Sequence, residues 1–249
     1  MEPSITPTPV PAGAGSKSFL ARVAGVFLSP GSTFADVVRK PDFIVPLIVA
    51  MLSGLVVAET MLAKIGMERI VRQQIEHSSR ASSMSPEQMQ QAVEQGVRIG
   101  AIMAHASFIF VPIGILIIAA TGLGIANVVF GGQVSFKTAF SVVCYANLVG
   151  ILGTLMAVPI ILFGDPEHLN PQNPLPTNLG FLLNPTDTPK PLMSLAGPFD
   201  VLTLWMMALL GIGFAEAIGP KAKNLTVFFC FFGLWALWVL AKMGLAMLG

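Results

Sequence analysis

The sequence predicts an all-α membrane protein whose five transmembrane helices form an antiparallel bundle. Of its 249 residues, 54% are hydrophobic and only 11% are charged, whereas globular domains carry about 25% charged residues. Five apolar segments each exceed the roughly 18 residues that mark a membrane-spanning helix. They cover about residues 43–64, 100–130, 136–163, 199–218 and 225–248. Short connectors after the second and fourth segments force neighbouring helices to run antiparallel.

Residues 1–16 contain prolines and glycines but no apolar stretch of the kind that a cleavable signal peptide requires. We expect them to form a disordered tail. Residues 17–249 are expected to form one membrane domain, with the first span as its own insertion signal.

An amphipathic helix is predicted just before the first span. Apolar residues recur there at spacings of one, three and four: Phe19, Leu20, Val23, Val26 and Phe27. Lys17 and Arg22 lie off this stripe. The pattern is typical of a helix in the membrane interface. Residues 29–32 are expected to break this helix, and a second short helix is predicted from Thr33 to Arg39.

The polar stretch between the first two spans predicts a helical hairpin that projects from the membrane. Opposite charges stand four residues apart in the pairs Glu68–Arg72, Arg72–Glu76 and Glu76–Arg80, a spacing that suits a solvated helix face. Ser85, Pro86 and Gln88 form a helix-start signal with a capping box. The two arms of the hairpin are expected to continue into the first and second spans.

The connector before the fourth span, residues 164–198, contains eight prolines, which exclude a long helix. Leu179, Phe181, Leu182 and Leu183 make its centre apolar enough to dip into the membrane interface or to cover the bundle. Two interpretations stay open for this loop: a functional surface, or a lid that packs on the outer mouth.

Basic residues indicate the orientation of the bundle. The N-terminal segment and the second and fourth connectors are short and dense in Lys and Arg, whereas the opposite side is net acidic. The positive-inside rule therefore predicts a cytoplasmic N-terminus and an extracytoplasmic C-terminus. The hairpin and the proline-rich loop are expected on the extracytoplasmic side of a plasma membrane.

Ionisable residues inside spans are costly and mark candidate sites. Four lie in the predicted outer half of the membrane: Glu59, His105, Asp200 and Lys242. A carboxylate of Glu59 or Asp200 pairing with Lys242, and His105 as a titrating group, would make a proton-linked polar cluster. The alternative is that each residue lies near a span end, where snorkelling or helix capping explains it.

Three further polar residues are predicted to support helix packing. Tyr145 and Asn147 lie near the middle of the third span, where a hydrogen bond to another helix is expected. Glu216 lies near the cytoplasmic end of the fourth span, within reach of Lys221 or Lys223. Small residues four apart also indicate close helix packing; the pairs are Ala120/Gly124, Ala146/Gly150 and Gly211/Ala215.

No catalytic pattern stands out in the sequence. It shows no glycine-rich phosphate loop, no His/Cys set with metal-ligand spacing and no Ser-His-Asp arrangement. Cys144 and Cys230 lie inside apolar segments, where thiols are inert. We therefore expect no enzyme activity, no cofactor and no metal.

Several segments resemble the bacterial branch of the Yip (Ypt-interacting protein) domain family. They are residues 27–34 followed by Pro41, 135–140 leading to Tyr145, 176–180, 199–205, and 211–213 with 221–223. The resemblance covers most of residues 17–249 and implies a five-helix membrane domain of the bacterial inner membrane with a cytoplasmic N-terminus. Eukaryotic relatives act in vesicle trafficking and bind prenylated small GTPases. We do not expect that role here, because the long N-terminal region of those relatives is missing from this sequence.

These features favour a non-enzymatic integral membrane protein that acts by interaction, in membrane organisation or as a scaffold for partners. The expected partners are the lipid bilayer and membrane proteins, or further copies of the same chain. The net charge of +1 gives no reason to expect nucleic acid. The alternative is a small oligomeric transporter or channel that uses the outer-half polar residues.

Overall fold

The structure is a computed structural model that describes residues 17–76, 78, 83–165, 169–170, 173–184 and 188–248. Helices α1 to α11 cover Phe19–Leu28, Pro30–Arg39, Ile44–Ile65, Met67–Glu76, Pro86–His105, Ser107–Leu123, Phe136–Ala146, Val149–Phe163, Lys190–Ala196, Val201–Ile218 and Asn224–Leu248. A π-helical turn, Gly124–Val129, extends α6, and a 3-10 turn, Leu179–Leu182, precedes α9. The predicted tail, residues 1–16, lies outside the described residues.

Five helical segments are long and apolar enough to cross a membrane, which confirms the predicted fold class. They are Ile44–Ile65, Phe108–Val129, Phe136–Phe163, Val201–Ile218 and Asn224–Met247. The second span begins later than expected, because residues 100–105 still belong to the hairpin arm α5. In the third span, α7 and α8 are separated at Asn147 and Leu148.

Helix α7 lies at the centre of the bundle. Every residue from Ala139 to Ala146 is buried, and the helix packs against α6, α10 and α2. A helix buried on all sides must be apolar all round, and in this stretch only Ser141 and Tyr145 carry a hydroxyl. The Ser141 hydroxyl donates to the carbonyl oxygen of Lys137 at 2.8 Å.

The two N-terminal helices are part of this bundle. Helix α2 begins at Pro30 rather than Thr33, because proline is favoured in the first turn of a helix and only Ser29 separates α1 from α2. Phe34 is fully buried, and an added methyl group at Gly213 would overlap both Phe34 and Val142. Helix α2 therefore packs closely on α7 and α10. Leu20 and Leu28 on α1 stay exposed, as lipid-facing residues of an interfacial helix would.

The predicted hairpin is present and consists of α4 and α5. Gly66 ends α3 with a φ of 82°, a conformation that glycine adopts without strain. Ser85 and Gln88 form the predicted capping box, and Arg72 pairs with Glu68 at 3.0 Å. The arms approach closely because Gly96 lies against Val71. Arg80, the last residue of the predicted charge ladder, lies outside the described residues.

The proline-rich connector pairs with the start of the fourth span. Asn178 and Asp200 form an isolated antiparallel bridge, in which the Val201 amide donates to the carbonyl oxygen of Thr177 at 2.9 Å. Helix α9 packs along α11. Leu182 in the 3-10 turn is exposed. The described part of the connector therefore lies against the bundle and presents apolar side chains outwards.

Close packing at small residues differs among the predicted pairs. Gly211 lies against the backbone of Asn224 and against Phe228, so it brings α10 close to α11. Gly124 has open space where a side chain would begin. Of these two glycines, only Gly211 brings two helices close together as predicted.

Candidate functional site

The most buried charge in the described residues is the guanidinium group of Arg22 in α1, which is 1% exposed. Its Nε donates to Asp36 Oδ2 at 2.9 Å, and one terminal nitrogen donates to Asp42 Oδ2 at 2.9 Å. The other terminal nitrogen donates to the carbonyl oxygens of Asp36 and Lys40, at 3.3 and 3.1 Å. All three nitrogens therefore have acceptors, as a buried guanidinium requires.

Asp36 in α2 is the main acceptor in this site and is 5% exposed. Besides Arg22, its carboxylate accepts from Arg39 at 2.6 Å and from the backbone amide of Lys17 at 3.1 Å. The carboxylate thus ties α1 to α2 and holds the backbone at Lys17, two residues before α1.

Tyr145 connects these charges to the third span. Its hydroxyl donates to Asp42 Oδ1 at 2.7 Å, and the centre of its ring is 5.7 Å from Arg22 Cζ, within cation–π range. Tyr145 stands nine residues after the start of α7, which is about 14 Å along the helix. We call Arg22, Asp36, Asp42 and Tyr145 the Arg22 network.

The charged states in the Arg22 network are stabilised by their partners. Burial alone would raise the pKa of the Asp36 carboxyl, but hydrogen bonds from Arg39 and Arg22 lower it below its ordinary value. Burial would likewise lower the pKa of Arg22, but Tyr145, Asp36 and the charge of Asp42 raise it. Both groups therefore stay ionised at neutral pH and hold α1 and α2 on the bundle.

Reasoning from the sequence missed the Arg22 network. It placed Arg22 off the apolar stripe of α1, yet Arg22 lies on the same buried face as Val26. The available signal was the four-residue spacing of Arg22 and Val26, which puts both on one helix face. The acceptors Asp36 and Asp42 come from other elements, and helix periodicity carries no information on them.

Glu59 and His105 are the one pair of predicted outer-half residues that the structure brings into contact. Glu59 Oε1 lies 2.8 Å from His105 Nδ1, and the contact joins α3 to the end of α5. The side chains are 43% and 62% exposed. An exposed pair of this kind contributes little to stability.

Asp200 has a different environment. Its Oδ2 accepts from the amide and the hydroxyl of Thr203, each at 2.9 Å, which makes it the N-cap of α10. Its Oδ1 is buried and has no hydrogen-bond partner among the described residues. Asp200 borders a cavity of about 430 Å³ between α3, α8 and α10 that Asn147 and Gly153 also line.

Lys242 lies on the outer surface of α11, with its ammonium group 5.5 Å from the centre of the Trp238 ring. The predicted cluster of four is therefore divided: Glu59 contacts His105, Asp200 caps α10, and Lys242 contacts Trp238. Helix capping, one part of the alternative interpretation, describes Asp200.

The three residues predicted to support packing differ in the contacts that they make. Tyr145 bonds to Asp42, as given above, and the side-chain amide of Asn147 lies 4.0 Å from the sulfur of Met206 in α10. Glu216 is exposed and, within the part of the chain that the structure describes, forms no ion pair with Lys221 or Lys223. Lys221 instead donates to the carbonyl oxygen of Gly131 at 3.1 Å.

An apolar groove of about 820 Å³ opens where the hairpin joins the spans. We call it the hairpin groove; Met61 and Leu62 of α3, Met67 and Val71 of α4, and Gly96, Ile99 and Met103 of α5 line it. Ile99 and Met103 in this lining are exposed, and so is Ile102 beside the groove. Among the described residues, no three His, Cys, Asp or Glu side chains gather in a group that could hold a metal ion.

The fold and the polar sites together define an all-α integral membrane protein with five spans. At its N-terminal end, the Arg22 network holds α1 and α2 against the third span. The chain belongs to the Yip1 domain family: the family model of the Yip1 domain matches residues 24–243. This match confirms the resemblance seen in the sequence. Comparison with the curated proteins and with the solved structures finds no match.

Proposed function

We propose that this protein acts by interaction rather than by catalysis, as a scaffold that binds other integral membrane proteins. The observation that carries the proposal is the hairpin groove, a large apolar surface built by two arms that continue the membrane spans. Methionine side chains are flexible and polarisable, so a groove lined by Met61, Met67 and Met103 adapts to different apolar partners.

The occupant that suits this groove is an apolar helix of a partner membrane protein. The groove reaches from Ala58 and Phe110, at the ends of the first two spans, to Ile75 and Ala92 in the hairpin. The exposed residues Ile99 and Ile102 continue it along α5. A helix that leaves the membrane beside the first span would meet this surface along its length, and α4 and α5 would hold its continuation.

Site-specific photocrosslinking in native membranes tests this proposal. A photoreactive residue in place of Ile99, on the groove side of α5, is expected to form a defined adduct with one membrane protein or with a second copy. The matched control is the same residue in place of Gln91, which is exposed on α5 outside the groove. An adduct at both positions, or with lipid alone at Ile99, would contradict the proposal.

The orientation proposed for this function puts the hairpin outside and the N-terminus inside a bacterial plasma membrane. The support is the density of Lys and Arg near the short connectors on the N-terminal side. Impermeant maleimide on intact cells is expected to label Gln91→Cys and not Lys223→Cys in a chain without Cys144 and Cys230. Labelling of Lys223→Cys alone would reverse the orientation.

Transport is the second candidate, and the observation that favours it is the buried Oδ1 of Asp200, which has no hydrogen-bond partner within the described part of the chain. An unsatisfied carboxylate oxygen beside a cavity among spans is a place where a transported cation would bind. Flux measured with purified protein in vesicles tests it. A flux that Asp200→Asn abolishes and Glu216→Gln leaves unchanged would support transport, and no flux for any ion or solute tested would remove it.

A further inference from the structure

A second groove lies on the same side of the molecule as the hairpin, between α9 and α11. It encloses about 630 Å³. We call it the Lys242 groove; its lining includes Lys242, Trp238 and Trp235 of α11, Met193 and Ser194 of α9, and Asn173. It shares no lining residue with the hairpin groove.

Two polar side chains of this groove, Lys242 and Ser194, are the ones that could bind an external anion. The Lys242 side chain is exposed, and its ammonium group contacts the face of Trp238 at 5.5 Å. Among the described residues, no carboxylate pairs with Lys242 and no hydrogen-bond acceptor is recorded for the Ser194 hydroxyl. The groove therefore offers one cation and one hydroxyl donor to an external anion.

The length of α11 puts the groove close to the expected depth of lipid headgroups. Lys242 stands 18 residues after Asn224, the first residue of α11, which is about 27 Å along the helix, close to the roughly 30 Å thickness of the hydrocarbon core. Tryptophan is enriched at this boundary. Leu237 and Leu234, about one and two turns deeper along the same helix, are exposed.

We propose that the Lys242 groove binds one anionic phospholipid. The phosphodiester accepts from the Lys242 ammonium group and the Ser194 hydroxyl, while an acyl chain lies against Trp235 and the apolar surface of α11. A headgroup with its own cation would compete with Lys242 for the phosphate, so the groove prefers lipids of net negative charge. This binding site is independent of the hairpin groove.

Lipid-dependent thermal stability of the purified full chain tests the proposal. Phosphatidylglycerol added to the protein in a neutral detergent is expected to raise the apparent Tm more than phosphatidylcholine does. Lys242→Gln is expected to weaken phosphatidylglycerol binding about fivefold, the effect of losing one surface cation beside an anionic lipid. Lys242→Arg is expected to retain the binding, because it keeps the charge.

The matched control is Lys223→Gln, which removes an exposed cation just before the other end of α11. Its response to phosphatidylglycerol is expected to equal that of the unaltered protein. An equal loss in Lys223→Gln would show general surface attraction and would overturn the site. Equal stabilisation by phosphatidylcholine would overturn the charge preference, and equal stabilisation by inorganic phosphate or glycerol phosphate would overturn binding of a lipid.

Discussion

At the residue scale, the Arg22 network is the feature with the largest energetic consequence. Burying an unpaired charge is expensive, and a buried ion pair offsets this cost only when its hydrogen bonds are complete. Arg22 has an acceptor for each nitrogen, and Asp36 accepts from two side chains and one backbone amide. The network therefore specifies one position for α1 and α2, and loss of Asp36 leaves the buried guanidinium of Arg22 without its most buried counter-charge.

Asp36→Asn is expected to lower the free energy of unfolding by about 3 kcal/mol, because the buried guanidinium of Arg22 loses its most buried counter-charge. The matched change is Asp42→Asn, since Asp42 also pairs with Arg22 but is 58% exposed. We expect it to cost about 1 kcal/mol or less. Unfolding by sodium dodecyl sulfate, followed by tryptophan fluorescence, measures both. Equal effects would mean that burial of the carboxylate does not decide its contribution.

Acid is expected to weaken the attachment of α1 and α2. The pKa of Asp36 is lower in the folded protein than in the unfolded chain, where the pKa of an aspartate is about 3.9. The stabilisation is therefore complete above about pH 4 and is lost as the pH falls through the lower pKa of the folded protein. Thermal unfolding between pH 6 and 3 should show a steeper loss of stability for the unaltered protein than for Asp36→Asn. Parallel curves would contradict this assignment.

At the scale of single elements, close packing at Gly213 explains how α2 packs against α7 and α10. Gly213 in α10 lies where the ring of Phe34 and the side chain of Val142 meet, and a methyl group there would overlap both. Helices α2, α7 and α10 therefore pack against one another at Gly213. A well-packed core tolerates added volume poorly.

Gly213→Ala is expected to destabilise the protein by about 2 kcal/mol through overpacking. The control is Gly233→Ala in α11, where open space surrounds the position; alanine there should be neutral or stabilising by up to about 1 kcal/mol because of its higher helix propensity. The same detergent titration compares the two variants. A harmless Gly213→Ala would show that α2 does not pack tightly on α10.

The elements differ in how well the sequence predicted them. The spans and the Ser85 capping box follow from local patterns, namely long apolar runs and a helix-start signal, and both are present. The start of α2 at Pro30 also has a local cause, since proline is favoured in the first turn of a helix, and the second span begins later because α5 continues to His105. The burial of Arg22 depends on Asp36, Asp42 and Tyr145, and the last of these is more than a hundred residues away, beyond the range of any local pattern.

At the scale of the whole molecule, the two ends of the bundle differ. The N-terminal end is closed by α1, α2 and the Arg22 network around the buried helix α7. The opposite end carries the hairpin, the proline-rich connector and the two grooves. This asymmetry puts the two proposed binding surfaces at one end and the buried charges of the Arg22 network at the other.

Cys144 is a probe of that packing because it is fully buried in α7. In a Cys230→Ser background, maleimide is expected to label Cys144 only at the rate of global unfolding. Asp36→Asn should accelerate the labelling in proportion to its loss of stability, whereas Lys242→Gln should leave it unchanged. Rapid labelling of the otherwise unaltered chain would show that α7 is not the stable centre.

The position of α2 also bears on the order of assembly during synthesis. Helices α1 and α2 leave the ribosome before the five spans, yet the surface that α2 packs against includes α10, which is made more than 160 residues later. They must wait at the membrane surface until α10 is inserted. In a chain without Cys144 and Cys230, Val37→Cys should therefore react with maleimide when the chain ends at residue 198 and be protected in the complete protein, since the helices made first are the last to reach their final position.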